Sequence, residues 1–154
     1  MKSLNFIDLF SGAGGLSEGF IKANFNPIAH VEADQKACET LTTRLIYHKL
    51  KKENRTAEYY DYIFQNIDRE SFLKNCGSSK LFSSVINKSI GGKNNSQIFK
   101  KIDELAKGNS IDLIIGGPPC QAYSLVGRAR DKNKMKDDPR NYLYKEYGKF
   151  LKKY

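Results

Sequence analysis

The 154-residue sequence has no tryptophan, two histidines, two methionines, four prolines and three cysteines. Cys38, Cys76 and Cys120 cannot all pair, and their spacings match no zinc motif, so we expect free thiols, a reducing cytoplasm and no metal site. No apolar run approaches the roughly 20 residues of a membrane span. Asp8 interrupts the apolar N-terminus, where no small-residue cleavage site follows, which argues against a signal peptide. What remains is one soluble domain with room for a core.

Positive charge is unevenly distributed along the chain, which carries a formal net charge of +9. Residues 1–50 contain five basic and five acidic side chains, and residues 51–120 contain eleven and eight. Residues 121–154 contain ten and four, a net of +6. This pattern indicates either a polyanionic partner, with nucleic acid the leading case, or a lysine-rich solvated face.

The first 50 residues predict two strand–helix units. An apolar strand over 3–10 leads into the turn SGAGG and a helix with Leu16, Phe20 and Ile21 on one face. A second strand at 28–31 ends on acidic residues, and a helix over 36–50 follows. This order predicts an α/β fold with a doubly wound parallel sheet.

Residues 51–96 predict a partly helical insertion that closes with the loop signal GGKNNS at 91–96. A helix stopped by Gly108, a buried strand IDLIIGG and a final helix over 137–154 follow. The final helix leads into no strand, so we expect a sheet that is incomplete at its C-terminal side.

Two segments at predicted strand ends favour a nucleoside-containing cofactor. The glycines of FSGAGG let the backbone approach a ligand at the start of a helix, although Ser17 stands where a dinucleotide fingerprint has its third glycine. Glu32, at the end of the second strand, is placed to accept hydrogen bonds from ribose hydroxyls. Asp34 is the alternative acidic residue, and its other interpretation is a cap for the next helix.

The segment GGPPCQ at 116–121 predicts a stiff loop that holds Cys120 at a strand end. A thiolate is a strong nucleophile when positive charge lowers its pKa, and arginines at 128, 130 and 140 follow. Cys38 and Cys76 lack such a setting, and we interpret both as structural.

Four segments carry a resemblance to a known family. NFIDLFSGAGGLSEGF resembles the first signature of the cytosine-C5 DNA methyltransferases, and GGPPCQAYSLVGR resembles their catalytic signature. DPRNYLY and HVEAD are similar to two further family segments. The resemblance spans the chain except for about 51–96, and it implies the N-terminal part of a methyltransferase catalytic domain over 1–154.

The resemblance implies methyl transfer from S-adenosylmethionine to C5 of a cytosine flipped out of double-stranded DNA. Cys120 would be the nucleophile that adds to C6. The cofactor-binding residues would be Phe10, Ser11, Gly12, Gly14, Gly15, Leu16, Glu32, Pro119 and Leu143. The nucleic-acid contacts would be Gln121, Ser124, Arg128, Arg130 and Arg140. A restriction–modification setting is also implied.

The chain departs from the family pattern in three respects, one of which is that the family's arginine-bearing segment has no match. The acidic residue that follows the third strand and binds adenine has three candidates, Asp61, Asp68 and Asn87. The Glu-Asn-Val segment, the target-recognition region and the C-terminal helix have no match, which predicts a complementary chain or self-association through an open sheet edge.

Three other functions remain as alternatives. An RNA cytosine-C5 methyltransferase shares these motifs, and a non-catalytic fragment or subunit would bind nucleic acid or a partner. A nicotinamide or flavin oxidoreductase leaves GGPPCQ unexplained.

Overall fold

A computed structural model describes residues 3–118 and 139–154, which form a parallel sheet with helices on both faces. The strands are β1 (Asn5–Leu9), β2 (Asn26–Glu32), β3 (Val85–Asn87) and β4 (Leu113–Gly116). The helices are α1 (Gly15–Lys22), α2 (Gln35–Lys52), α3 (Ala57–Ile63), α4 (Arg69–Cys76), α5 (Ser79–Ser84), α6 (Asn94–Ala106) and α7 (Leu143–Lys153). A 3-10 turn at Pro139–Tyr142 precedes α7.

The four strands run in the order β3-β2-β1-β4, and every pairing between them is parallel. Leu9 is in register with Val31 on one side and Gly116 on the other, and Glu32 is in register with Asn87. The carboxyl ends of all four strands therefore meet at one edge of the sheet. The predicted doubly wound α/β class is confirmed.

Alternating residues of β1 explain why both faces of the sheet are covered. Ile7 and Leu9 belong to the main core with Ile98 of α6 and Phe150 of α7, and all four are fully buried. Phe6 points to the opposite face, where its ring lies 5.7 Å from that of Phe20 in α1. A strand that is apolar on both faces is typical of a buried parallel sheet.

The segment 51–96 is partly helical, as the sequence predicts, but it also holds strand β3, which the sequence analysis does not predict. Its helices pack on the C-terminal half of α2 in a second apolar cluster with the members Ile46, Leu50, Phe72 and Cys76. The loop predicted at 91–96 is wrong in its second half, because α6 begins at Asn94.

One predicted helix face is also corrected. Leu16 does not pack inward with its neighbours in α1, since it is 52% exposed, and the buried residue of that helix is Ser17. Within residues 3–118 and 139–154 no helix is long and apolar enough to cross a membrane. The same residues contain no group of three or more potential metal ligands.

Candidate functional site

The glycine-rich segment forms a tight turn between β1 and α1 at the carboxyl edge of the sheet. Phe10 and Gly12 have φ values of 59° and 53°, and Gly14 is the left-handed N-cap of α1. The amide of Ser11 donates to the carbonyl of Val31 at 3.1 Å, which fastens the turn to β2. A Cβ on Gly12 would meet no atom within 4 Å, so its left-handed backbone borders open space. The turn therefore exposes backbone where a ligand can approach.

Glu32 joins the end of β2 to this turn. Its Oε2 accepts a hydrogen bond from the Gly12 amide at 2.7 Å, and its Oε1 accepts from the amides of Ala33 and Asp34 at 2.8 Å each. A carboxylate has about four acceptor positions, so these three bonds leave capacity for one more donor. A direct hydrogen bond thus joins the glycine-rich turn to the acidic end of β2, the two segments predicted to bind the cofactor.

Asp34, the alternative acidic residue, has a structural part. Its Oδ1 accepts from the amide of Ala37 at 2.7 Å and caps α2. The structure supports the interpretation of Asp34 as a helix cap.

Asn87 extends the site to the third strand. It ends β3 beside Glu32, and its Nδ2 donates to the carbonyls of Glu32 and Ala33 at 3.1 and 3.0 Å and approaches Cys38 Sγ at 3.3 Å. No described residue donates to its Oδ1, which leaves an amide acceptor at this edge.

The two other candidates for the adenine contact lie elsewhere in the fold. Asp61 is inside α3 and accepts from Asn66, and Asp68 caps α4 through the amide of Ser71. Of the three candidates, Asn87 alone stands at a strand end.

The carboxyl group of Asp8 is a site feature that the sequence analysis missed. It is fully buried in β1, and its Oδ2 accepts from the Ser17 hydroxyl of α1, while its Oδ1 has no partner among the described residues. Burial raises the pKa of Asp8 to about 6; the Ser17 hydrogen bond opposes this shift, and the charge of Glu32 adds to it. An acidic residue inside an apolar strand, just before a glycine turn, is the sequence signal that identifies it.

The remaining predicted site residues divide between described and undescribed parts of the chain. Gly15 opens α1 with Leu16 after it, Arg140 lies in the 3-10 turn, and Leu143 opens α7; Arg140 and Leu143 are half-buried. Six predicted residues lie outside the described residues: Pro119, Cys120, Gln121, Ser124, Arg128 and Arg130. The two cysteines interpreted as structural, Cys38 and Cys76, are both buried, and burial raises the pKa of each thiol.

Comparison with known proteins finds a family and several relatives that match most of the chain. The family described as C-5 cytosine-specific DNA methylase matches residues 4–69 and 70–154. The chain is 43% identical to the type II methyltransferase M.Bpa9945I of Bacillus paralicheniformis, over 94% of this chain and 37% of that protein. No solved structure matches the chain.

Two further relatives show the same partial coverage. The chain is 33% identical to the putative type II methyltransferase M.MjaORF1200P of Methanocaldococcus jannaschii, over 98% of this chain and 43% of the relative. It is also 33% identical to the type II methyltransferase M.AquIA of Picosynechococcus, over 92% of this chain and 40% of the relative. The chain spans less than half the length of each of these relatives, and it belongs to the family of C-5 cytosine-specific DNA methylases.

Proposed function

We propose that this chain is the cofactor-binding and nucleophile-bearing part of an enzyme that methylates C5 of cytosine in double-stranded DNA. The observation that carries the proposal is the 2.7 Å hydrogen bond from the Gly12 amide to Glu32 Oε2, because it unites two cofactor motifs at one sheet edge. Ligands of doubly wound sheets bind outside the carboxyl ends of the strands, which is where this bond lies. A restriction–modification setting and a cytoplasmic location are part of the proposal.

The described residues fit S-adenosylmethionine as the cofactor. Glu32 has acceptor capacity for a ribose hydroxyl, Asn87 Oδ1 is an acceptor for the adenine amino group, and Asp8 Oδ1 is a buried carboxylate oxygen in need of a donor. Phe10 and the open backbone at Gly12 border the same turn. Bound there, the cofactor supplies an electrophilic methyl group on a sulfonium sulfur.

The cysteine of GGPPCQ supplies the activation that cytosine needs. C5 of cytosine is a weak nucleophile, and addition of the Cys120 thiolate to C6 breaks the C5–C6 double bond and moves its electron pair toward C5. After C5 is methylated, loss of its proton restores the double bond and expels the thiolate. Neither carbon is accessible in a stacked duplex, so the base must leave the helix. Three arginines follow the cysteine in the chain, at positions 128, 130 and 140. Their positive charge would lower the pKa of the thiol and attract the phosphates of the DNA.

Trapping with 5-fluorocytosine tests the covalent step. The chain is incubated with S-adenosylmethionine and duplex DNA that carries the fluorinated base, whose fluorine does not leave as a proton does. We expect a denaturant-resistant protein–DNA adduct that Cys120→Ala abolishes and that the matched variant Cys76→Ala retains. An adduct with fluorinated RNA in place of DNA would favour the RNA methyltransferase.

Calorimetry measures cofactor binding by itself and so separates it from the covalent step. We expect Glu32→Gln to weaken binding of S-adenosylhomocysteine by about tenfold, since one charged hydrogen-bond acceptor is lost. Glu104→Gln, an exposed change on α6, is the matched control and leaves binding unchanged. Binding without an adduct, under conditions that trap a full-length member of the family, would mean that this chain holds half of a site. If the chain neither binds the cofactor nor forms the adduct, the proposal is contradicted.

A further inference from the structure

A second cavity lies at the edge of the sheet opposite the glycine turn. It has a volume of about 430 Å³ and is lined by Asn26–Ile28 at the start of β2, by Ser84 just before β3 and by Asn109 ahead of β4. These are the amino ends of parallel strands, whereas Gly12, Glu32 and Asn87 stand at or just beyond the carboxyl ends. The cavity is therefore separate from the proposed cofactor site.

The floor of this amino-edge cavity is apolar. Its apolar lining residues come from the first two helices, β2, α5 and α6, and they are Ile21, Pro27, Ile28, Leu45, Leu81 and Leu105. Ten other described residues of the lining are polar or charged. A concave volume of this size that joins apolar surface to placed polar groups is characteristic of small-molecule sites.

The rim of the cavity is basic. Four lysines line it: Lys49 pairs with Glu53 at 3.8 Å, and the other three come from separate elements. Lys52 ends α2, Lys80 is in α5, and Lys107 follows α6. All three side chains are exposed, and none forms an ion pair with another described residue. Glu53 is the carboxylate in the lining, and Arg55 already pairs with it at 3.2 Å. The rim therefore has uncompensated positive charge.

Helix dipoles explain only part of this arrangement. Lys52 and Lys107 lie at the C-terminal ends of their helices, where a cation is favourable. Lys80 lies in the first turn of α5, where the same effect disfavours a cation. Lys80 shares the rim of this cavity with Lys52 and Lys107, and this combination favours a shared anion.

We propose that the amino-edge cavity binds a small amphipathic anion. The apolar body of the ligand would cover the floor, and its carboxylate, sulfonate or phosphate group would lie between Lys52, Lys80 and Lys107. The inference does not depend on methyl transfer, because no described residue of the proposed cofactor site lines this cavity.

Titration with 1-anilinonaphthalene-8-sulfonate, which joins an aromatic body to a sulfonate, tests the proposal. We expect saturable binding of one probe per chain, with amide shifts in two-dimensional NMR concentrated around Ile28, Leu81 and Leu105. The triple variant K52E/K80E/K107E is expected to weaken binding by about tenfold or more at low salt, since three attractive charges become repulsive. All three positions are exposed, so the fold is retained, and circular dichroism checks it.

A matched triple variant and two partial probes complete the design. K51E/K74E/K100E makes the same change in net charge at exposed lysines outside the cavity and is expected to leave binding unchanged. Inorganic sulfate and the uncharged N-phenyl-1-naphthylamine each lack one half of the probe, and both are expected to bind much more weakly.

Three results would overturn the proposal. Equal losses in the two triple variants would mean that only net charge matters. If sulfate binds as tightly as the probe, the apolar floor contributes nothing to binding. Displacement of the probe by duplex DNA, with a loss of DNA affinity specific to K52E/K80E/K107E, would make the rim a nucleic-acid surface.

Discussion

At the scale of single residues, Asp8 and His30 form an unusual buried pair. They are in register on neighbouring strands, both are fully buried, and both have polar atoms with no hydrogen-bond partner among the described residues. Burial lowers the pKa of His30 from 6.5 to about 4. Burial raises the pKa of Asp8 from 3.8 to about 6. Both groups are therefore held toward their neutral forms.

The two shifts have opposite effects on stability. The contribution of His30 is present above pH 6.5 and is lost as the pH falls through 4, because the unfolded chain then binds the extra proton. The contribution of Asp8 is present below pH 3.8 and is lost as the pH rises through 6. Between pH 4 and 6 these slopes offset each other, so the pair leaves the free energy of unfolding nearly flat.

Replacing one residue of the pair should reveal how the other makes the free energy of unfolding depend on pH. His30→Leu removes the part of the stability that rises with pH. Relative to the native chain, its free energy of unfolding should therefore fall by about 3 kcal/mol as the pH rises from 4 to 6.5. Asp8→Asn should show a relative rise of similar size. Urea denaturation followed by circular dichroism at several pH values measures both. Parallel profiles for the native chain and both variants would contradict the assigned shifts.

At the scale of elements, the end of β4 determines where the GGPPCQ segment begins. Gly116 has φ 104°, and a Cβ at this position would lie 1.8 Å from the carbonyl oxygen of Leu9 and 3.0 Å from Asp8 Oδ1. Backbone packs against backbone here, so neither side can move away cheaply. The close pairing of β4 with β1 therefore requires glycine.

The adjacent glycine gives a matched comparison. Gly116→Ala should lower the free energy of unfolding by about 3 kcal/mol or more, a fall of roughly 10 °C in the melting temperature. A Cβ on Gly117 meets no atom within 4 Å, so Gly117→Ala should change stability by about 0.5 kcal/mol or less. Thermal melts of the two variants measure the difference, and equal losses would contradict the close approach.

The elements that the sequence predicted well are those with a local signal. Apolar runs marked β1, β2 and β4, and the position of Asp34 before a helical pattern marked a cap that the structure confirms. β3 has three residues, too few to show a period, and so it escaped prediction.

The errors have a tertiary cause. Ser17 is buried instead of Leu16 because its hydroxyl donates to Asp8 in the neighbouring strand, which no pattern within α1 reveals. The same holds for the site: the position of Glu32 at a strand end was predictable, whereas its bond to the Gly12 amide depends on the packing of β1 against β2.

At the scale of the whole molecule, charge is segregated along the chain. Residues 121–154 carry a net charge of +6, whereas residues 1–50 are neutral. Lys52, Lys80 and Lys107 of the amino-edge cavity belong to neither segment. Binding of duplex DNA and binding at that cavity should therefore respond to different substitutions.

The salt dependence of DNA binding tests this separation. If the basic segment neutralises six phosphates, the affinity for duplex DNA should fall roughly 10³-fold between 50 and 200 mM salt, because condensed counterions are released on binding. Fluorescence anisotropy with a labelled duplex measures the slope of log K against log salt. K52E/K80E/K107E should keep this slope, whereas K145E/K149E/K152E, which changes exposed lysines of α7, should make it shallower by about one unit per lost contact. A slope that changes with the cavity lysines and not with α7 would place the DNA at the amino edge of the sheet, away from the carboxyl ends of the strands where Gly12 and Glu32 lie, and would contradict both proposals together.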